Sequence, residues 1–430
     1  TQGVSSAASD VYKRQQTKQQ RSNAYPKRMD NAEFNIENVL ELDASRRNTQ
    51  TELDKTASAL NALSKDIGVL FKSGQVEKAN ILKQKTADLK DKKGTLTETL
   101  NSTSEALQNL LYQLPNLPHA SVPSGNSEDD NEEVFRSGTV PNLHSNAQPH
   151  WELAKKYDII DFEMGNKITG AGFPVYKGKG ARLQRALINY FIDKNTAAGY
   201  SEIQVPHLVN EASGLGTGQL PDKEGQMYYV AADDLYLIPT GEVPATNIFR
   251  DVILNANELP KQLTTYTPCF RREAGSYGAH VRGLNRLHQF DKVEILRVEH
   301  PSESYKALDA MVAHVKTILE ALKLPYRVLK LCSGDLGFTS ALTYDFEVFS
   351  TAQDRWLEVS SVSNFETFQA NRLKLRFKNK DGKSELAHTL NGSALALPRV
   401  LAGILENYQT ETGIEIPEVL IPYTDFDRID

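Results

Sequence analysis

The sequence predicts an α+β protein with a two-helix antiparallel coiled-coil arm in its N-terminal part. Apolar residues recur every seven positions between about residues 37 and 114, which is typical of a coiled coil. The run Lys72-Ser73-Gly74-Gln75 interrupts this pattern, and a tight turn there can reverse the chain. From about residue 150, strand-like runs such as 344–349 alternate with helical runs such as 305–322, as in an α+β domain.

The arm follows from two apolar seams that lie three residues apart. A helix of about 40 residues is roughly 60 Å long, so we expect the arm to project. Its basic and acidic side chains nearly balance, which is typical of a solvated surface, so this pattern alone does not identify an RNA-binding arm. The seam residues are Leu53, Thr56, Leu60, Leu63, Ile67 and Leu70 before the turn and Leu82, Leu89, Leu96, Leu100, Leu107, Leu110 and Leu114 after it.

Composition divides the chain into four segments. Residues 1–27 are polar and patternless, and we expect them to be disordered or foreign to the native protein. The arm, 28–114, ends before Pro115, because proline cannot continue a helix. Residues 115–135 form a predicted linker, and residues 136–430 form the predicted large domain.

Composition also limits which partners and which cellular compartment are expected for the protein. No run of eighteen or more apolar residues occurs, so we expect no membrane span. Cys269 and Cys332 are the only cysteines, and they lack the paired spacing of a zinc site. This favours a reducing cytoplasm and no zinc. The formal net charge is −6 at pH 7, so a nucleic acid would need a local positive surface.

One segment of the large domain carries the clearest chemistry. It begins with Phe270-Arg271-Arg272-Glu273 and continues through loop glycines to Arg286, His288 and Phe290. We interpret it as a strand, a loop and a second strand. An arginine at a strand end offers a rigid fork for phosphate or carboxylate, and an aromatic ring can stack on a base. A basic hairpin with a core phenylalanine explains any one of these residues but not the whole set.

This segment resembles motif 2 of the class II aminoacyl-tRNA synthetases, and within them the seryl-tRNA synthetase family. Three further segments are similar to that family, namely 238–242, 358–361 and 388–399. The resemblance covers about residues 28–430 and implies an antiparallel β-sheet flanked by helices, with residues 136–430 as the catalytic domain. It implies a ligase that activates L-serine with ATP and transfers it to the 3′ end of serine tRNA, with AMP and pyrophosphate as the other products.

The resemblance also implies which residues form the active site. Arg271 is similar to the arginine that holds the ATP α-phosphate and the substrate carboxylate, and Arg399 to the arginine that clamps the γ-phosphate. These two are the expected catalytic residues. Glu358 and Ser361 are the expected Mg²⁺ ligands, since hard oxygen ligands suit this ion. The expected ATP-binding residues are Arg271, Arg272, Glu273, Arg286, Leu287, Phe290, Glu358, Val359, Ser360, Ser361 and Arg399. The expected serine-binding residues are Thr240, Gly241, Glu242, Arg271, Glu294, Asn391 and Ser393.

The same resemblance implies the macromolecular partners. The long variable arm of serine tRNA would bind along the coiled coil, and whether selenocysteine tRNA is charged as well stays open. Pro206 falls where motif 1 of the family places a proline at the dimer interface. We therefore expect a homodimer in the cytoplasm, with no membrane partner.

Three other functions remain open at this point. A synthetase-like ligase that loads a carrier protein would lack the arm, which this sequence has. Another class II synthetase fits less well, because Asn391-Gly392-Ser393 and His288-Gln289-Phe290 look serine-specific. An inactive dimeric scaffold should have lost arginines or metal ligands, but Arg271, Glu358 and Arg399 are all present.

Overall fold

The computed structural model of the chain describes residues 36–222, 224–273 and 281–430. The predicted segment 1–27 lies outside these ranges, as does most of the loop that follows Glu273. Contacts divide the chain into two units, Thr1–Leu114 and Pro115–Asp430. Among the described residues, no helix is both long enough and apolar enough to cross a bilayer.

The described part of the first unit is a helical hairpin. Helices α1 (Ile36–Lys72) and α2 (Val76–Tyr112) each contain 37 residues. Gly74 between them has a φ of +74°, a left-handed conformation that glycine adopts without steric cost. The turn therefore lies where the sequence predicts it.

The predicted seams lie between α1 and α2. All of the predicted seam residues are buried or half-buried. Val39 of α1 packs with Leu107 of α2, and Glu52 pairs with Lys92 across the hairpin at 3.8 Å. An early residue of α1 thus faces a late residue of α2, as antiparallel helices require. The coiled-coil arm is confirmed.

The second unit combines helices and strands around one large sheet. Its described helices are α3 (His150–Lys156), α4 (Phe162–Ile168), α5 (Gly178–Ala197), α6 (Glu211–Thr217), α7 (Glu242–Asn247), α8 (Ser304–Ala321), α9 (Phe368–Leu373), α10 (Leu397–Asn407) and α11 (Ile421–Thr424). Its described strands are β1 (Glu132–Ser137), β2 (Ile160–Asp161), β3 (Val175–Tyr176), β4 (Ser201–Glu202), β5 (Leu208–Val209), β6 (Tyr229–Val230), β7 (Leu235–Leu237), β8 (Ile253–Asn255), β9 (Lys261–Phe270), β10 (Gln289–Glu299), β11 (Tyr326–Lys330), β12 (Leu342–Ser350), β13 (Arg355–Asn364), β14 (Arg376–Lys378), β15 (Ser384–Leu386), β16 (His388–Ala396), β17 (Ile414–Glu415) and β18 (Arg428–Ile429).

The large sheet is antiparallel except at one edge. Within the described ranges its eight strands follow the order β1-β11-β12-β13-β16-β10-β9-β4. Every neighbouring pair is antiparallel apart from β4 and β9, which are parallel. The predicted fold class, an antiparallel sheet flanked by helices, is confirmed.

One face of the large sheet packs in the main core. On β10, Val293 and Ile295 are fully buried and belong to this core, together with Val362 of β13 and Leu390 of β16. Helices α8 and α10 contact these strands. Because side chains alternate across a strand, the residues between these apolar ones point to the opposite face, and that face carries the site.

The first strand of the sheet begins inside the segment 115–135, which is predicted from the sequence to be a linker. Strand β1 starts at Glu132 and pairs with β11. Asn116 is also packed, since its side-chain amide donates to the carbonyls of Thr339 at 2.9 Å and Phe365 at 2.8 Å. Few apolar residues mark this segment, because an edge strand buries little of its own surface.

Candidate active site

The polar face of the large sheet gathers predicted serine-site residues. Lys292 and Glu294 of β10 alternate with the core residues and so lie on this face. Glu294 pairs with Ser393 of β16, and Asn391 lies two residues away on the same strand and hence on the same side. All four residues are buried. The face therefore forms the floor of a polar site that is shielded from water.

Thr240 joins this floor from the turn before α7. Its hydroxyl donates to Glu294 Oε1 at 2.7 Å and accepts from Lys292 Nζ at 2.9 Å. Lys292 also forms an ion pair with Glu294. A Cβ on Gly241 would lie only 3.0 Å from Thr267 Oγ1 of β9, so glycine allows this close approach. Lys292 was not predicted from the sequence, since one lysine within a strand gives no motif signal.

Glu242, at the first position of α7, is a buried carboxylate with an unusual pKa. Burial and the nearby charge of Glu294 raise the pKa of Glu242 to about 7, and a hydrogen bond from Gln369 acts in the opposite direction. In the described part of the chain, Glu294 Oε2 is buried and has no hydrogen-bond partner. These two carboxylates can receive an ammonium group and a hydroxyl.

Arg271 follows the end of β9 and lies beside Phe290 of β10. Its Nε donates to the Pro239 carbonyl at 3.3 Å, and its Cζ is 5.3 Å from the centre of the Phe290 ring. The Arg271 backbone N–H donates to the His288 carbonyl at 2.9 Å. These contacts fix the guanidinium beside the aromatic ring, as recognition of a phosphate next to a base requires.

Glu273 and Arg286 form an ion pair at the base of the loop 271–288, which we call the β9–β10 loop. The pair borders a cavity of about 720 Å³ whose lining also includes His288. Arg272 is exposed, and its backbone N–H donates to the Gln226 carbonyl at 2.8 Å. The Arg286 guanidinium is therefore already paired with the Glu273 carboxylate in this structure. A ligand that binds Arg286 would have to share the guanidinium with Glu273 or displace it.

Glu358 and Ser361 of β13 lie on one side of the sheet because the strand is irregular. Residues three apart on a regular strand point to opposite faces. The β12–β13 ladder shifts register between Phe346 and Glu347, which leaves Val359 without a partner. This β-bulge inserts one extra residue and restores the two oxygen-bearing side chains to a common face.

Asp345 of β12 adds a further oxygen group at this place. It is opposite Ser361 in the ladder. Burial and the charge of Glu358 raise the pKa of Asp345 well above its usual range, against a hydrogen bond with Ser361. Its Oδ1 is buried and has no hydrogen-bond partner among the described residues. Two carboxylates and a hydroxyl, with one oxygen unsatisfied, fit a hard divalent cation such as Mg²⁺. Asp345 was not predicted from the sequence.

Arg399, in the first turn of α10, connects Glu358 to the β9–β10 loop. Its Nη1 donates to the Glu358 carbonyl at 2.9 Å and lies 3.6 Å from Glu358 Oε2. Its Nε donates to the Asn285 carbonyl at 3.0 Å. Pro398 fits this turn, since the first N–H groups of a helix have no intrahelical partner. The structure thus brings Arg399 and Glu358 together.

Three of the residues predicted for the ATP site have buried side chains that contact other parts of the protein. Leu287 and Val359 belong to the main core. The Ser360 hydroxyl is buried and donates to the Ser393 carbonyl at 2.5 Å. At these positions the backbone groups are the ones left for a ligand, and their part in ATP binding stays a prediction.

Comparisons with protein families match both units. The family described as "tRNA synthetase class II core domain (G, H, P, S and T)" matches residues 228–408. The family described as "Seryl-tRNA synthetase N-terminal domain" matches residues 14–118. The first match contains the β9–β10 loop, Glu358 and Arg399, and the second contains the coiled-coil arm.

Individual relatives extend the similarity over most of the chain. The serine–tRNA ligase of Salinibacter ruber is 52% identical over 92% of each chain, and that of Prosthecochloris aestuarii is 46% identical over the same shares. The crystal structure of seryl-tRNA synthetase from Pyrococcus horikoshii complexed with ATP is 31% identical, with a TM-score of 0.84 over 92% of this chain and 93% of that one. A cytoplasmic serine–tRNA ligase from Naegleria fowleri in complex with AMP is 26% identical, with a TM-score of 0.80 over 92% of each chain. The chain therefore belongs to the seryl-tRNA synthetase family.

Proposed function

We propose that this chain is a serine–tRNA ligase that binds serine and ATP side by side on the polar face of its large sheet. One observation carries this assignment. Ser363 of β13 pairs with Asn391 of β16, and Ser361 lies two residues from Ser363 and hence on the same side. The residues suited to an amino acid and those suited to a metal-bound phosphate therefore occupy adjacent strands of one face.

The serine subsite is the group of buried residues around Glu294. Glu242, with Thr240, receives the ammonium group. Glu294 Oε2, which has no hydrogen-bond partner among the described residues, accepts the substrate hydroxyl, with Ser393 opposite it. A site built to hydrogen-bond a hydroxyl rejects the analogue that lacks it, because its buried polar groups are then left unpaired. Alanine is therefore excluded strongly, and discrimination against threonine is weaker, because one further methyl group contributes only about 1–3 kcal/mol.

A divalent cation, Mg²⁺, neutralises and orients the phosphates when it is bound. Glu358 and Ser361 would hold it, and the orphaned oxygen of Asp345 lies on the same face. The remaining positions suit phosphate oxygens and water, because Mg²⁺ is usually held by one or two carboxylates together with substrate phosphates.

The chain's own residues position the reactants of two successive displacements. The serine carboxylate attacks the ATP α-phosphorus, the bond to pyrophosphate breaks, and seryl-adenylate forms. A tRNA 3′-terminal hydroxyl then attacks the carbonyl carbon, and AMP leaves. Arg271 holds the α-phosphate and the carboxylate together, and Arg399 holds the γ-phosphate. Such reactions depend on positioning and charge stabilisation more than on a protein nucleophile.

The arm is proposed to bind the long variable arm of serine tRNA. Between residues 72 and 93, α1 and α2 carry seven lysines and three carboxylates, all of them exposed. The far end of the hairpin is therefore positive although the whole chain is negative, and phosphate contacts there would make binding sensitive to salt. Pro206 is exposed just beyond the edge strand β4, which supports a homodimer through that edge. Two unpaired cysteines, Cys269 and Cys332, are consistent with a cytoplasmic location.

Serine-dependent ATP–pyrophosphate exchange tests the assignment of both substrates. We expect the KM for serine to fall as pH rises from about 6 to 8, because the carboxylate of Glu242, with its pKa of about 7, becomes charged over this range and can pair with the ammonium group. The same shift destabilises the empty site as pH rises toward 7, and bound serine offsets that loss. No other amino acid should replace serine in the assay.

The variant Glu242→Gln provides the control for the pH effect. It keeps the size and one acceptor oxygen but cannot become charged, so its KM for serine should be about 30-fold higher at pH 8, from a charged hydrogen bond of about 2 kcal/mol. Its KM should also be nearly independent of pH. A pH-independent KM in the native chain, or exchange with another amino acid, would contradict the proposed site.

Replacement of Glu358 by glutamine is expected to raise the Mg²⁺ concentration for half-maximal exchange by about 10-fold or more. An amide is a weaker ligand than a carboxylate for a hard cation. Glu347→Gln is the matched control, since it removes the same charge from the neighbouring strand but its carboxylate is already paired with Arg327. Equal increases in this Mg²⁺ concentration for the two variants would mean that Glu358 acts only through its negative charge and not as a metal ligand.

A further inference from the structure

His150, at the start of α3, connects a buried carboxylate to the β9–β10 loop. Its side chain is fully buried. On one side its Nδ1 lies 2.7 Å from Glu406 Oε1, and on the other its Nε2 lies 2.8 Å from the backbone nitrogen of Leu284. The imidazole therefore bridges helix α10 and the loop, which are far apart in the sequence.

These two contacts determine which nitrogen of the His150 imidazole carries the proton. A backbone N–H can only donate, so Nε2 of His150 must be the acceptor for Leu284. Nδ1 then carries the proton and donates it to Glu406. Burial raises the pKa of Glu406, but hydrogen bonds from His150 and from Ser350 outweigh burial and hold this pKa below its ordinary value. A charged carboxylate thus fixes both the tautomer and the orientation of the imidazole.

The residues after His150 hold the loop in the same way. Trp151 lies under Arg282, whose Cζ is 4.9 Å from the indole centre. Glu152 Oε1 accepts from Arg282 Nη2 at 3.0 Å. A Cβ on Gly283 would overlap the His150 imidazole. Three consecutive residues of α3 therefore contact residues 282–284, although no sequence motif marks these three.

This anchored run leads directly into the nucleotide machinery. Asn285, the residue after Leu284, accepts Arg399 Nε through its backbone carbonyl at 3.0 Å. Its side-chain amide donates to Gln353 Oε1 at 2.8 Å, and Gln353 Nε2 donates to Glu406 Oε1 at 2.8 Å. The dyad of His150 and Glu406 thus holds the loop at two successive residues, and the second of them orients Arg399.

We propose that His150, oriented by Glu406, is a positioning residue that fixes residues 282–285 of the β9–β10 loop, so that Arg399 and Arg286 meet ATP in a set geometry. The proposal rests on the proposed ATP site. The hydrogen bond between His150 and Leu284 does not depend on the ATP site. It exists in the ligand-free chain and can be measured without ATP.

Two substitutions at His150 separate its two contacts. Asparagine places an amide nitrogen near the position of Nδ1, so His150→Asn keeps a donor for Glu406 but has no atom that reaches Leu284. Glutamine places a carbonyl oxygen near the position of Nε2, so His150→Gln keeps the acceptor for Leu284. His314→Asn is the control, since it makes the same substitution at a half-buried histidine away from the loop, whose Nε2 lies 2.7 Å from Asn195 Oδ1.

Hydrogen–deuterium exchange and pyrophosphate exchange are measured on the full chain. For His150→Asn we expect faster deuterium uptake in peptides that span 281–288 and a KM for ATP about 10-fold higher, as loss of a buried hydrogen bond predicts. The KM for serine should stay within about 2-fold. His150→Gln should recover most of both effects, and His314→Asn should show neither.

Each contrary result overturns a distinct step. Unchanged deuterium uptake in His150→Asn would show that the hydrogen bond to Leu284 does not restrain the loop. Faster uptake with a normal KM for ATP would show that His150 does not position the residues that bind ATP. Equal defects in the asparagine and glutamine variants would indicate that His150 contributes packing only. Should His150→Asn fail to fold, Gly283→Ala tests the same contact from the loop side, and a normal KM for ATP there would overturn the proposal. Absence of serine-dependent exchange in the native chain would instead refute the proposed function.

Discussion

Substitution of Arg271 by alanine is expected to lower serine-dependent ATP–pyrophosphate exchange by about 1,000-fold. A preorganised donor aimed at charge that develops in the transition state contributes about 100- to 1,000-fold in rate, and Arg271 serves both the α-phosphate and the attacking carboxylate. Its guanidinium is already fixed by the Pro239 carbonyl and the Phe290 ring. Little reorganisation is therefore needed when the substrates bind.

Two further variants separate charge from geometry at this position. Arg271→Lys keeps the positive charge but loses the planar fork, so we expect an intermediate loss of exchange activity. Arg136→Ala is the matched control, since Arg136 also stacks on an aromatic ring, with its Cζ 5.1 Å from the Trp356 ring centre, but lies on the edge strand β1. Near-normal exchange by Arg271→Ala would show that this loop does not hold ATP.

Shortening the arm is expected to abolish tRNA charging and to leave pyrophosphate exchange within about 2-fold of normal. Glu52 and Lys92 face each other across the hairpin, so residues 53–91 can be replaced by the native turn Ser73-Gly74-Gln75. This removes five of the seven lysines between residues 72 and 93. Because each phosphate contact releases counterions, losing several of them lowers affinity by about 1,000-fold or more at moderate salt. Charging of serine tRNA and exchange are measured on the same preparation.

A full-length variant controls for the loss of helical length. Replacement of Lys83, Lys85 and Lys90 by glutamine should raise the KM for tRNA and flatten its dependence on salt, whereas replacement by arginine should preserve both. Unchanged charging by the shortened chain would mean that the tRNA is recognised elsewhere.

The arm could be predicted from the sequence because its information is local. The seven-residue step depends only on the geometry of one helix and its partner, and a single glycine in a left-handed conformation marks the reversal. Gly74 and the seam leucines therefore appear where the pattern places them. The edge strand β1 carries no comparable signal, since its partner β11 lies almost two hundred residues further along the chain.

The sequence predicts which residues lie near the candidate site, but it does not predict which way their side chains point. Motif resemblance names Val359 and Leu287 as well as Glu358, yet only alternation, register and the irregular ladder decide which side chains reach a ligand. Lys292 and Asp345 were missed for the opposite reason, because their importance comes from neighbours on other strands. A one-dimensional pattern does not contain these cross-strand neighbours.

The unpaired Val359 also constrains how this protein can evolve. Because Glu358 and Ser361 are three residues apart, they share a face only while the ladder accommodates one extra residue between them. A further insertion between them that left the bulge unchanged would turn one of the two side chains toward the apolar side. Replacing residues one for one leaves both oxygen atoms pointing correctly. We therefore expect this stretch of the enzyme to accept changes of side chain far more readily than insertions between Glu358 and Ser361.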